Sequence, residues 1–235
     1  MKKLLPLILF LLFSFESFST GKNRPVFHPV EHASFVIESN DLTIFIDPVG
    51  KPEVYQAYST PQLILITHTH GDHFDADLLK NFNTEKTIII GPQSVIEKLG
   101  FGTVMKNGET KTAILDVVVE AIPMYNSTAE RSQFHPKGAG NGYVITIDNE
   151  RIYVAGDTED IPEMLSLKNI DYAFICMNLP YTMTVEQAAS AVLKFQPKTV
   201  FPYHYRQKEG FNDIETFKKL VSVNKKIKVE FLKWY

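Results

Sequence analysis

Cysteine is almost missing from this chain of 235 residues, where only Cys176 occurs. A lone cysteine cannot close an internal disulfide, and a cysteine-rich structural zinc cage is excluded with it. Cys176 ends the apolar run Tyr172 to Cys176, a setting in which a thiol packs as a small hydrophobe. Net charge is also slight. The formal value of −3 leaves no footprint for bulk nucleic-acid binding. No short repeat of fixed period runs through the chain, which argues against a solenoid. Long apolar runs are missing except at the start. There, Leu4 to Phe13 follows Lys2 and Lys3 and is too short to span a bilayer comfortably. Ser17 and Ser19 put small residues before Thr20, so 1–19 reads as a cleaved secretory signal peptide. The expectation is an exported protein, periplasmic or secreted, without a stable transmembrane anchor and with its folded domain over 20–235.

What the chain does have is a globular composition, with 44% hydrophobic and 22% charged residues, which fits one large domain. Its densest chemistry is the stretch Thr67-His68-Thr69-His70-Gly71-Asp72-His73. Leu63 to Ile66 just upstream reads as a buried strand, and Asp75 to Phe82 downstream reads as a helix. The cluster therefore lies on a loop leaving a strand, where a rigid scaffold presents functional groups. One or two histidines in a turn are ordinary surface residues. Three histidines and an aspartate within six positions are a different matter, because imidazole and carboxylate are the ligands that zinc-type cations take. Four such groups suffice to begin two metal positions.

The rest of the chain alternates strand and helix signals. Val26 to Glu38 and Leu42 to Ile46 read as a hairpin, and Lys51 to Pro61 as a loop with Tyr55 and Tyr58 over a pocket. Thr87 to Ile90 is a strand, Gln93 to Leu99 a helix, and Thr103 to Met105 a short strand. Thr112 to Ile122 reads as one extended run. Pro123 to Gly142 is polar, long enough to be functional, and holds His135. Tyr143 to Ile147 and Arg151 to Ala155 form a hairpin, followed by a helix over Ile161 to Leu167 and a strand over Tyr172 to Cys176. Thr184 and Gln187 have the capping-box spacing ahead of a helix whose apolar face is Val185, Ala188, Ala189, Val192 and Leu193. Thr199 to Phe201 is a strand, Asn212 to Val223 a helix, and Ile227 to Leu232 a last strand.

Three further residues share a placement. His135 lies in the long loop, Asp157 follows a strand, and His204 follows another. Each alone is an ordinary loop or capping residue. Taken with His68, His70, Asp72 and His73, however, the order resembles the ligand set of the metallo-β-lactamase superfamily. Ala155-Gly156-Asp157-Thr158, Phe201 to Tyr205, Glu31 to Phe35 and Ile46-Asp47-Pro48 add to the likeness. Within the superfamily, the chain resembles the branch of metal-dependent hydrolases that includes phosphorylated-ascorbate lactonases and, more distantly, N-acyl-phosphatidylethanolamine phospholipases D.

The resemblance implies an α/β chain folded as an αββα sandwich, with two mixed β-sheets face to face and helices outside. It implies that His68, His70 and His135 hold one divalent ion, that Asp72, His73 and His204 hold the other, and that Asp157 bridges them. Zinc suits the nitrogen-rich set, and the ligand types also admit manganese or iron. A hydroxide shared by the ions would attack an ester-type bond (phosphodiester, lactone or acyl ester) of a small-molecule substrate. Flavodiiron reductases of the superfamily carry Glu where His70 stands, which argues against a redox role. Class B β-lactamases generally lack the aspartate that Asp157 supplies, which argues against β-lactam hydrolysis. The catalytic candidates are Asp72, His32 and Asn178, with His32 as proton donor or substrate contact or, as readily, a structural hydrogen-bonded histidine. Asp47 is a candidate to orient a ligand imidazole. Tyr181, Tyr203 and Tyr205 are expected to face the pocket. A phosphodiester would need cations around its oxygens, which Arg131, Lys137 and Arg206 could supply, although a solvated surface role is the default for each, and His28 reads as a surface residue. The alternative is a non-catalytic module that binds metal or a small ligand on the same fold.

Overall fold

The computed structural model describes residues 24–235. The signal-peptide expectation and the first residues of the expected domain lie outside them. Period-two patterns become two sheets. The first sheet runs, in order, β1 (Val26–Glu31), β2 (Ser34–Ser39), β3 (Leu42–Ile46), β4 (Leu63–Leu65), β5 (Ile88–Gly91) and β6 (Thr103–Val104). The second holds β7 (Thr110–Ile114), β8 (Val117–Met124), β9 (Gly140–Ile147), β10 (Glu150–Val154), β11 (Tyr172–Cys176), β12 (Thr199–Tyr203) and β13 (Lys228–Val229), also in chain order. Each sheet is mixed. β1 to β3 pair antiparallel and β3 to β6 parallel. β7 to β10 pair antiparallel and β10 to β13 parallel.

Alternation along the strands decides what each face meets. Phe35, Ile37, Ile44 and Ile46 turn inward to the second sheet, where Phe35 stacks on Phe174 at 4.3 Å between ring centroids. Their neighbours Val36, Phe45 and Ile64 turn outward into a separate cluster with Leu78, Leu79, Val95 and Leu99. Those four belong to helices α1 (Ala76–Phe82) and α2 (Gln93–Leu99), which therefore cover the outer face. On the other side, α3 (Pro162–Leu165), α4 (Val185–Phe195) and α5 (Ile214–Val221) pack together, and Phe195 meets Tyr153 of β10 edge to face at 6.0 Å. This is the αββα sandwich. Burial on both faces explains why the central strands read as unbroken apolar runs. The Thr184 hydroxyl caps α4 by accepting from the Gln187 amide. Among the described residues, no helix is long and apolar enough to cross a membrane.

Several element boundaries differ from the sequence reading. The stretch 26–38 is two strands, broken at His32, whose φ is +58°. The run 112–122 folds back at Leu115 and Asp116, giving β7 and β8, because Leu115 takes φ +48° and turns to solvent. The long loop shrinks to 125–139, since Pro123 and Met124 still pair with Asn141 and Gly140. The helix expected over 161–167 is the single turn of α3, and the last strand is only β13.

Candidate metal centre

The centre forms where strands of both sheets end. Residues 67–75 leave β4, His32 turns the chain between β1 and β2, and His204 follows β12. Three non-glycine residues here hold left-handed backbone: His32 (φ +58°), Asp47 (φ +44°) and His204 (φ +47°). That conformation is costly for side chains with a Cβ and tends to gather at functional sites. Asp47 is fully buried and ties the loop down. It accepts from the Thr67 amide at 2.7 Å and the Thr67 hydroxyl at 2.6 Å, and its Oδ2 lies 2.7 Å from His73 Nδ1. The carboxylate thus fixes a proton on Nδ1 and leaves Nε2 of His73 to face the centre.

All seven expected ligands converge. One ligand atom each from His68, His70 and His135 lies within 4.8 Å of the others; so do those of His68, His73 and Asp157, and those of His32, Asp72 and His204. Asp157 stands between. Its Oδ1 is 3.4 Å from His73 Nε2 and 3.2 Å from His204 Nε2, while its Oδ2 is 3.3 Å from His135 Nε2. Asp72 Oδ2 lies 3.5 Å from His204 Nε2 and 3.3 Å from His32 Nε2. His73 Nε2, His135 Nε2 and Asp157 Oδ1 are buried yet lack a hydrogen-bond partner. Orphaned ligand atoms converging this way are costly in a protein core, and bound divalent metal would satisfy them.

The electrostatics agree with such a centre. Burial drives the imidazoles of His68 and His70 below the usual histidine range, which keeps them neutral, the form that ligates metal. Burial pushes His73 the same way, but the Asp157 and Asp47 carboxylates outweigh it and raise the group well above that range, so a cation bound at Nε2 would have to displace a proton there. Burial would raise both aspartates. For Asp157 the His204 and His73 imidazoles outweigh it, and for Asp72 the His32 hydrogen bond and His73 do, so both carboxyls stay ionised. The result is an ionised Asp157 buried among His73, His135 and His204.

A cavity of about 630 Å³ opens over this cluster. Asn178 reaches it, with its Nδ2 3.3 Å from His204 Nε2 and its Oδ1 accepting from the Thr182 hydroxyl. His32 lines it as well, and burial lowers its pKa. Tyr181 lines the wall as expected, but Tyr203 does not: it is fully buried against Trp234 and Phe35. Tyr205 packs on Tyr235 and Phe211 instead of lining the cavity. Tyr55 is also buried, bonded to Val49, and His28 pairs with Glu38 at 2.9 Å on the surface. Cys176 is buried and its thiol is pushed up to about 12, so it is no nucleophile at neutral pH.

Two contributors were not legible in the sequence. Tyr235 brings its hydroxyl to 2.9 Å from His32 Nδ1, across 203 positions, and no local pattern announces it. Glu159 is fully buried, accepts from the amides of Ser127 and Thr128 at 2.7 and 2.6 Å, and pairs with Arg131 at 2.6 Å. Its position two residues beyond Asp157 was the available signal. Arg131 also donates to the Thr182 carbonyl at 2.6 Å, so the pair binds the His135 loop to the Asn178 loop.

A family model described as a beta-lactamase superfamily domain matches residues 28–204, from the first strand to the last expected ligand. The chain belongs to the β-lactamase superfamily. A UPF0173 metal-dependent hydrolase of Pyrococcus abyssi is 32% identical over 84% of this chain and 92% of its own length, which places the chain in that family of metal-dependent hydrolases. Among solved structures, a metal-dependent hydrolase of Parabacteroides distasonis superposes with a TM-score of 0.80 at 41% identity, covering 88% of this chain and 92% of that one. A metallo hydrolase of the archaeon Ignicoccus hospitalis superposes at 0.73 with 25% identity, covering 88% and 94%.

Proposed function

We propose that this superfamily member is a dinuclear metallohydrolase that cleaves an ester-type bond (phosphodiester, lactone or acyl ester), exported after loss of residues 1–19. The observation that carries the reading is the stance of Asp157, whose two oxygens face different histidines: His135 on one side, His73 and His204 on the other. A carboxylate so placed serves two cations at once. In this reading His68, His70 and His135 hold one ion, Asp72, His73 and His204 the other, and zinc is the expected metal, with manganese or iron compatible. Two ions so held would lower the pKa of a shared water toward neutrality and polarise the substrate oxygen.

The chain's own groups do the rest. Asp47 holds His73 in the tautomer that presents Nε2. The Asn178 amide, fixed by Thr182, offers a donor to a substrate oxygen at the cavity wall. His32 stands beside Asp72 with Nε2 facing the cluster and Nδ1 on the Tyr235 hydroxyl, placed to pass a proton to a leaving oxygen. The choice of bond type rests on the motif's resemblance to phosphorylated-ascorbate lactonases and, more distantly, N-acyl-phosphatidylethanolamine phospholipases D.

The test is a pair of variants, Asp72→Ala and Asp157→Ala, assayed on a panel of phosphodiester, lactone and acyl-ester substrates with metal content measured by mass spectrometry. The expected result is two metals per wild-type chain, loss of metal and activity in both variants, and unchanged circular dichroism. Wild-type protein that binds metal but turns over no member of the panel would favour a binding module instead. Activity that survives both substitutions would refute the mechanism.

A further inference from the structure

The cations around the cavity are not equivalent. Lys137 is committed to Glu163 at 3.0 Å, and Arg131 to Glu159. Arg206 and Lys208, unlike those two, line the cavity itself, and among the described residues neither has a carboxylate partner. Arg206 sits close to the reacting groups. Its guanidinium nitrogen is 3.5 Å from His32 Nε2, the atom that lies 3.3 Å from Asp72.

The segment carrying these cations is held in place. Arg206 and Phe211 form an isolated bridge, the Gln207 amide donates to the Gly210 carbonyl at 3.0 Å, and the Asn212 amide donates to the Tyr205 carbonyl at 2.8 Å. The Asn212 side chain further donates to the Met177 carbonyl, tying the segment to the Asn178 loop. A cation on a fixed loop binds an anion without first ordering itself. Phe134 and Tyr181 line the same cavity, meet edge to face at 5.1 Å and supply its apolar ring surface.

We propose that this pocket selects organic oxyanions: substrates whose carboxylate or phosphate group is held by Arg206, with Lys208 behind it, while the adjoining apolar part lies on Phe134 and Tyr181. Arg206 is then a specificity-determining residue, and the bond cleaved lies within a few atoms of the anionic group. The inference rests on the hydrolase reading for its kinetic part only, since oxyanion binding is a property of the wall itself.

Two measurements separate the two ideas. Phenylphosphonate binding to metal-stripped protein, followed by calorimetry, reads the wall alone. A charge-assisted hydrogen bond is worth about tenfold or more in affinity, so Arg206→Ala should weaken binding by that factor and Arg206→Lys should restore part of it. Binding should also fall with added salt, and benzyl alcohol, which lacks the charge, should show no such dependence on Arg206. On zinc-loaded protein, 4-nitrophenyl hydrogen succinate and 4-nitrophenyl acetate present the same scissile ester with and without a carboxylate. The wild type should prefer the anionic ester in kcat/KM by about tenfold, and Arg206→Ala with Lys208→Ala should collapse that ratio to about twofold, chiefly through KM. A phosphonate affinity unchanged by Arg206→Ala, or a preserved ester preference in the double variant, overturns the proposal. If neither ester is hydrolysed by wild-type protein, the hydrolase reading fails for these bonds and the phosphonate titration still decides the oxyanion site.

Discussion

Glu159 offers the sharpest test of how the His135 side of the centre is held. Its buried carboxylate accepts from the Ser127 amide, the Ser127 hydroxyl at 3.1 Å and the Thr128 amide, and pairs with Arg131. Those partners open the 125–139 loop. The same loop ends its turn at His135, whose Nδ1 lies 3.2 Å from the Tyr181 carbonyl and from Asn126 Nδ2. Glu159→Gln keeps the shape and removes the charge. Breaking one partner of a buried pair costs about 3–5 kcal/mol, and Arg131, at 21% side-chain exposure, recovers part of that from water, so about 2–4 kcal/mol is the expected loss. Arg131 also keeps its bonds to Thr182 and Gln187, which limits the damage to one end of the clamp.

In the proposed dinuclear reading, the consequence should be unequal across the two metal positions. The position built on His135 should weaken by about 10–100-fold, the usual effect of losing an outer support, while the position on Asp72, His73 and His204 keeps its affinity. Zinc titration with a competing chelator, beside urea denaturation of the metal-free protein, reads both. Two positions weakened equally, or a stability loss without change in either affinity, would refute the clamp. The pH dependence carries a defined sign. Burial raises the Glu159 carboxyl, but the Thr128 and Ser127 hydrogen bonds and Arg131 outweigh it and hold the group below its ordinary 4.5. A depressed folded value means that the stabilisation is complete above that ordinary value and is lost as pH falls through the lower one. The wild type should therefore lose this increment in acid, and Glu159→Gln should show a flatter stability profile there.

Two other substitutions probe the scaffold. Asp47→Asn places an amide donor against His73 Nδ1, forcing the proton to Nε2 and turning the metal-facing nitrogen into a donor; zinc affinity should fall about 10–100-fold with little change in fold, read by chelator competition and circular dichroism. Gly142→Ala would set a Cβ 2.8 Å from the Ala155 carbonyl oxygen and 3.0 Å from that of Val154, both backbone atoms of the strand leading to Asp157; a loss of about 1–3 kcal/mol is expected in urea denaturation, and a neutral result would show that β9 and β10 can part locally.

The centre was more legible than its supports, and the reason is physical. Metal-type ligands cluster in sequence because the β4 loop supplies four of them within six positions, so residue chemistry alone announces that stretch. His135, Asp157 and His204 are each an ordinary loop or capping residue alone, and their order relative to that loop, with the words around Asp157 and His204, marked them. Supports act through tertiary contacts. Glu159 reads as one more acid beside Asp160, and Tyr235 as one more exposed aromatic, until the fold brings them to the His135 loop and to His32. The strand breaks at His32 and Leu115 were missed for a related reason. Both are non-glycine residues in left-handed backbone, where no glycine or proline marks the turn, so apolar alternation runs through them unbroken.

The break at His32 also shows why the site sits where it does. Continued as a strand past Glu31, residue 32 would alternate with its neighbours along the sheet. Turned back at φ +58°, its imidazole instead packs on His204 at 4.1 Å between ring centroids and reaches both Asp72 and Tyr235. His204 and Asp47 adopt the same unusual backbone at the ends of β12 and β3, one in each sheet. Each of the three positions gives up backbone comfort, and each side chain reaches a candidate ligand: His32 meets Asp72, Asp47 meets His73 and His204 meets Asp157. Strain spread over both halves of the sandwich is stable only if something common to both satisfies the groups it gathers. The unpaired nitrogens of His73 and His135 and the unpaired oxygen of Asp157 lie among the groups so gathered, and the cations of the proposed function would answer that requirement.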